Sequence, residues 1–209
     1  MRFQSIKLSL LVALIATGTA FAQQNSGTMS AGSSTMVGKE SKSEFDSQNQ
    51  KGAAAVAAVS ATPAKLSSAD QSLMMEVAKG GTMQLEVSKI AVQQASNPEV
   101  KALAQAEVDE QTGLSQKLQE IASAKGMTLP STPDAETQAM VSKLQGMSGA
   151  SFDKMYVDES GVKGHEKLDK VMSKVESSAS DPSLKGVGKA AHPLVKTHLK
   201  VAREIKGKM

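Results

Sequence analysis

The sequence predicts an all-α fold, and three observations carry that prediction. Every local punctuation mark is a helix start or a helix stop: Asn97-Pro98 and Asp181-Pro182 each place a capping side chain before a proline suited to the first helical position. Gly126 and Gly146 stand where left-handed C-caps are wanted. Apolar residues recur at spacings of three and four, and no stretch alternates with period two for long enough to read as a strand.

At the N-terminus, Arg2 and Lys7 precede an apolar run from Leu8 to Ala16, followed by Thr19-Ala20-Phe21-Ala22. This is the form of a secretory signal peptide, with cleavage expected between Ala22 and Gln23 and a periplasmic destination for the mature chain. The run is far shorter than the roughly 20 residues needed to span a bilayer, so no transmembrane segment is expected. The chain has no cysteine, which excludes both a disulfide framework and a lipid-anchored cysteine. Residues 23–66 are rich in Gln, Ser, Gly, Thr, Ala and Lys, with Phe45 as their one aromatic, and read as a disordered tether. The bundle domain is expected over residues 67–209.

Within it, five helical segments follow: 68–96, 98–125, a short one at 133–145 begun by Thr132-Pro133, then 151–179 and 182–206. The very short turns between the first two and between the last two force antiparallel hairpins. The connection through Leu129-Pro130 and the short helix crosses the bundle. The architecture is therefore a four-helix bundle with one extra short helix in the crossover.

Charge excludes some functions. The sequence pI is about 9.0, yet 18 Lys and Arg face 18 Asp and Glu in residues 67–209, where Phe152 and Tyr156 are the only aromatics. A neutral domain without stacking rings is not expected to bind nucleic acid. No nucleophile constellation and no phosphate-cradling glycine loop is present, so the chain is read as non-catalytic. The nine methionines of the domain, Met74-Met75 included, are spread over several helices without Met-x-x-Met arrays and read as core filling.

Polar residues that interrupt the apolar seams define the candidate site. In the last segment Leu184, Val187, Ala191, Leu194, Val201 and Ile205 form a seam with His198 at its centre. Glu107 and Gln111 fill the gap in the seam of segment 98–125, and Gly80 and Gln84 interrupt that of 68–96. The fourth segment changes face: Phe152, Met155 and Val162 lie on one side and Leu168, Met172 and Val175 on another, so its register shifts between Ser160 and Gly164 and His165 falls at the stripe's edge. Counted from the hairpin turns, Gln84 and Gln111 lie level, as do His165 and His198. With Glu107 and Glu159 nearby, the sequence predicts one polar layer at mid-bundle. A buried hydrogen-bonded layer needs no cofactor; the alternative is a transition metal ion, since imidazole and carboxylate are its usual ligands. The paired Glu-x-x-His of two-iron bundles is absent, because Val162 and Val195 stand three before the histidines.

Lys185, Lys189, Lys196, Lys200 and Arg203 fall on one face of segment 182–206, within an arc of roughly 60°. They are read as a solvated face, with weak attraction to an anionic envelope surface as the functional alternative. His192 precedes Pro193 and is read as architectural.

Several stretches of residues 67–206 resemble an exported bacterial family, domain of unknown function 4142, often labelled outer-membrane proteins. They are Gly80-Gly81 with Leu85-Glu86, Asn97-Pro98-Glu99-Val100-Lys101, Phe152-Asp153-Lys154-Met155-Tyr156, Gly161-Val162-Lys163-Gly164-His165, Asp181-Pro182-Ser183-Leu184, and Pro193 with His198-Leu199. The resemblance implies a ferritin-like helical fold, and no biochemical activity follows from it. Family members usually carry an acidic residue where Gln84 stands and an Asp-His pair where Glu110-Gln111 stands. The glutamines here count against a metal role carried over from the family.

Overall fold

The structure is a computed structural model that describes residues 35–209, which form one compact unit. The expected signal peptide and the first part of the expected tether lie outside the described residues.

Residues 35–66 correct the tether reading, because they are ordered and packed. Met36–Val37 (β1) and Glu40–Ser41 (β2) pair antiparallel around Gly38, whose φ of 65° suits a residue without Cβ. Ser41 then caps helix α1, Lys42–Ala57, by accepting from the Glu44 amide at 3.2 Å. Val37, Phe45, Val56 and Leu66 are all buried. This arm lies against helices α3 and α7, defined below, and its docking supplies what composition alone could not: apolar neighbours for a few well-placed residues. Gly52 lets the arm approach closely, since a Cβ there would lie 2.2 Å from Leu194 Cγ.

Helix α2 runs Ser68–Gln94 and α3 Pro98–Ala124, then α4 Ala135–Gln145, α5 Gly149–Tyr156, α6 His165–Ser178 and α7 Pro182–Lys206. A π-helical stretch, Val157–Gly164, joins α5 to α6. Its wider turn accommodates extra residues and rotates the apolar face, which is the register shift read between Ser160 and Gly164. Asn97 and Asp181 cap α3 and α7 as their positions before proline require. Two starts and stops differ from expectation. Helix α4 is capped by Asp134, which accepts from the Thr137 amide at 2.9 Å, so Thr132-Pro133 lies outside it. Gly146 keeps a negative φ of −83°, whereas Gly126 and Gly149, like Gly38, are left-handed.

Helices α2 and α3 pack most extensively on each other, as do α6 and α7, so the two hairpins are the halves of the bundle. Each hairpin turn is held by a carboxylate from the other half. Asp153 of α5 accepts from the Ser96 and Asn97 amides at 3.0 and 2.9 Å, and Asp70 of α2 accepts from the Ser180 amide at 2.9 Å. Beside the second turn, the buried Lys125 ammonium donates to Asp181 at 2.5 Å and to the Thr62 carbonyl at 2.8 Å, tying the chain after the arm to both hairpins. Asp153→Ala should cost about 1–3 kcal/mol in urea unfolding, because it leaves the donors of the α2–α3 turn without an acceptor. A change below about 0.5 kcal/mol, the usual scatter for surface substitutions, would show that the turn holds itself.

Candidate functional site

The predicted mid-bundle layer exists, with a membership that differs in part. His198 on α7 is completely buried, as is Glu107 on α3, and His165 at the start of α6 is 1% exposed. One carboxylate oxygen, Glu107 Oε1, accepts from both rings: from His165 Nε2 at 2.6 Å and from His198 Nδ1. Glu110 Oε2 lies 2.9 Å from the same His198 Nδ1. The two imidazoles meet edge to face with centroids 5.8 Å apart.

The far nitrogen of each ring is also held. His198 Nε2 donates to Asn49 Oδ1 of the arm at 2.5 Å, and the Phe45 ring lies 5.6 Å from the His198 ring. His165 Nδ1 donates to the Ser160 carbonyl at 3.0 Å. Gln84 Nε2 donates to that carbonyl at 3.0 Å, and Ser160 Oγ donates back to Gln84 Oε1. The π-helical stretch makes this arrangement available, because its carbonyl is directed to side-chain donors. Gly164 completes it, since a Cβ at that position would come within 2.7 Å of Gln84 Nε2. Beyond Gln84, Ser88 Oγ and the buried Tyr156 hydroxyl bond each other at 2.8 Å.

Electrostatics follow from burial and pairing. Burial alone would push the Glu107 carboxyl up, but the two imidazoles beside it pull it well below the usual carboxylate range. For His198, burial works against protonation and the Glu107 and Glu110 carboxylates outweigh it, so the ring is pushed up to about 10. His165 is raised for the same reason, against its burial, by Glu107. Glu110 moves the opposite way: burial raises it more than His198 lowers it. Tyr156 is raised too, by burial and by the nearby Glu107 charge.

Three sequence-based expectations need restating. Glu159 is not in the layer; it accepts from Lys163 at 2.8 Å on the partly exposed side of the π-helical stretch. Gln111 is inward and buried, yet its amide has no hydrogen-bond partner and it faces Gly81, where a Cβ would lie 2.8 Å from its Oε1. The basic stripe is partly neutralised: Lys200 pairs with Glu40 of the arm at 2.5 Å and Arg203 with Glu166 at 2.8 Å, which leaves Lys185, Lys189 and Lys196 without an ion pair among the described residues. Vesicle adhesion through it should therefore be weak and vanish as salt shortens the screening length from ~10 Å at 0.1 M to ~3 Å at 1 M. Co-sedimentation with anionic vesicles that survives high salt, or survives Lys189→Glu with Lys196→Glu, would show that the stripe is not the contact.

Sequence reasoning misses Glu110, Asn49 and Ser160. Glu110 carries a signal, since it lies one helical step of three from Glu107 on the same face. Asn49 and Phe45 share the spacing of four on α1, but with the arm read as a tether nothing ties them to the bundle. His192 forms a separate trio, its Nε2 2.8 Å from Asp169 Oδ1 and its Nδ1 3.1 Å from Glu176 Oε1.

The fold and the site together define a class: helical bundles organised around a buried carboxylate–histidine layer, without the paired Glu-x-x-His of two-metal bundles. The model of the family described as Domain of unknown function (DUF4142) matches residues 55–205, and the chain belongs to that family. No curated protein and no solved structure matches the chain. The match begins within the last turn of α1, so Phe45 and Asn49 lie before it.

Proposed function

We propose that this chain is an exported, non-catalytic helical-bundle component that acts by binding or as a structural part of the envelope, and that its Glu–His layer is an internal clasp. The enclosure of Glu107, His165 and His198 is the observation that supports this reading. A reaction centre for an organic substrate needs concave space at the reacting groups, whereas Glu107, His165 and His198 are at most 1% exposed and bond one another. Elements from across the fold converge there: α1 through Asn49, α2 through Gln84, α3 through Glu107, the π-helical stretch and α6 through Ser160 and His165, and α7 through His198. Such a layer fixes helix register and closes the arm onto the bundle. Export rests on the charged, apolar and small-residue succession of residues 1–22, and the absence of any helix long and apolar enough to cross a membrane among the described residues fits it.

Limited proteolysis of the exported protein tests both halves. Mass spectrometry should find Gln23 as the mature N-terminus, and a brief digest should leave a fragment that retains Phe45 and Val56. Asn49→Ala should speed cleavage within α1 several-fold while α2 to α7 stay protected. Retention of residues 1–22 would refute export, and equal cleavage of variant and wild type would refute the clasp.

A further inference from the structure

The layer contains more buried acceptor capacity than its own donors use. Glu107 Oε2 and Glu110 Oε1 are buried without a hydrogen-bond partner, and Glu110 Oε2 has only the 2.9 Å approach to His198 Nδ1. Unpaired buried carboxylate oxygens are costly, and an acid at an interior position is expected to have something to bind.

We propose that this layer is a mononuclear site for a divalent first-row transition metal ion, held by His165 Nε2, His198 Nδ1, Glu107 and Glu110; the proposal rests on the clasp reading and names the clasp's ligand. The His165 Nε2, His198 Nδ1 and Glu107 donor atoms lie within 4.8 Å of one another. Around an ion with bonds of about 2.0–2.2 Å, tetrahedral ligand atoms stand roughly 3.3 Å apart, so His165 Nε2, at 2.6 Å, and His198 Nδ1, closer still, must both draw back from Glu107 Oε1, whereas Glu110 Oε2, 2.9 Å from His198 Nδ1, moves least. Two nitrogen and two oxygen donors suit zinc, cobalt(II), iron(II) or manganese(II). A divalent ion also supplies the two positive charges that the imidazole protons otherwise supply to the same carboxylates.

The surrounding bonds fit ligation as well. A metal-bound imidazole donates its other N–H to an acceptor that fixes the ring, and here His165 Nδ1 has the Ser160 carbonyl and His198 Nε2 has Asn49 Oδ1. Gln84 and Gln111 are therefore outside the donor set: Gln84 orients Ser160, and the fourth ligand is Glu110 in place of either glutamine. A cleft of about 260 Å³ between α1 and α3, lined by Ala53, Val56, Glu110, Gly113, Glu120 and Leu194, reaches Glu110 from the surface and offers the ion a path beneath the arm.

The test is equilibrium dialysis of the full-length mature protein against Zn²⁺, repeated with Co²⁺ to record its visible absorption. One ion per chain is expected, with a Co²⁺ spectrum of tetrahedral intensity. Glu110→Gln and His165→Gln should each weaken binding at least tenfold with unchanged helical circular dichroism. His192→Gln should leave uptake intact, because His192 with Asp169 and Glu176 is the competing site. No uptake, uptake undiminished in Glu110→Gln and His165→Gln, or uptake abolished by His192→Gln overturns the proposal. Unfolding in chelator separates this failure from that of the clasp: if Glu107→Gln still destabilises the metal-free protein, the clasp stands alone, and if it does not, the clasp reading falls too.

Discussion

Glu107→Gln is expected to be the most damaging single substitution in the bundle, lowering the stability of the metal-free protein by about 3–5 kcal/mol at neutral pH. The magnitude follows from what is left behind. Glu107 Oε1 is the shared acceptor of His165 Nε2 and His198 Nδ1, and both rings are buried. A glutamine keeps the volume and removes the charge, so two imidazoles that are protonated beside a carboxylate must either shed protons or stay charged and unpaired. Glu110 offsets part of the loss at His198, since its Oε2 already lies 2.9 Å from Nδ1, and acts on His165 only through its more distant charge. His198→Leu should also destabilise, because it strands Asn49 Oδ1 and Glu110, even though seam spacing alone would rank a leucine there as harmless. Urea unfolding followed by circular dichroism decides the matter: a Glu107→Gln midpoint indistinguishable from wild type would mean that the layer contributes nothing to stability.

Seam positions and hairpin counting make most of this layer legible in the amino-acid sequence. His198, Glu107 and Gln84 are inward because apolar neighbours at spacings of three and four leave them no other side, a constraint local to each helix, whereas His165 falls only at the edge of its stripe. The π-helical stretch is legible as a break in phase, since Phe152 and Leu168 cannot share one face of a regular helix. What local pattern cannot show is the arm. Phe45, Val37 and Val56 are too few to nucleate structure on their own, and their burial comes from α3 and α7, far along the chain. Asn49, the acceptor for His198 Nε2, is lost with it. Glu110 escapes notice for a different reason: with Glu99, Asp109 and Glu120 on the same helix it looks like part of an acidic outer face. Its position three residues from Glu107 is the better guide.

The metal-free protein should be most stable between about pH 5 and 6.5 and should lose stability steadily on the alkaline side, by up to about 1.4 kcal/mol per pH unit for each proton involved. The sign follows from the direction of each shift. A histidine raised in the fold contributes stability that is complete below its unfolded value near 6.5 and is lost as pH climbs through the folded value, which for His198 is about 10. His165 acts in the same direction. Glu110, raised by burial, adds to the alkaline loss, because above its ordinary range the unfolded chain ionises it more readily than the fold does. Glu107 is lowered, so its contribution is present above the ordinary carboxylate range and disappears as pH falls below it, which sets the acid edge. All the groups facing His198 enter this balance: Glu107 and Glu110 from α3, His165 from α6, and the uncharged Asn49 and Phe45 from the arm. In chelator, the urea midpoint of the wild type should fall between pH 6.5 and 10 by an amount equivalent to a few kcal/mol, and His198→Leu should flatten most of that slope. A wild-type midpoint that stays constant across this range, or a slope that His198→Leu leaves unchanged, would show that the layer's protons are not what the alkaline side of the curve reports.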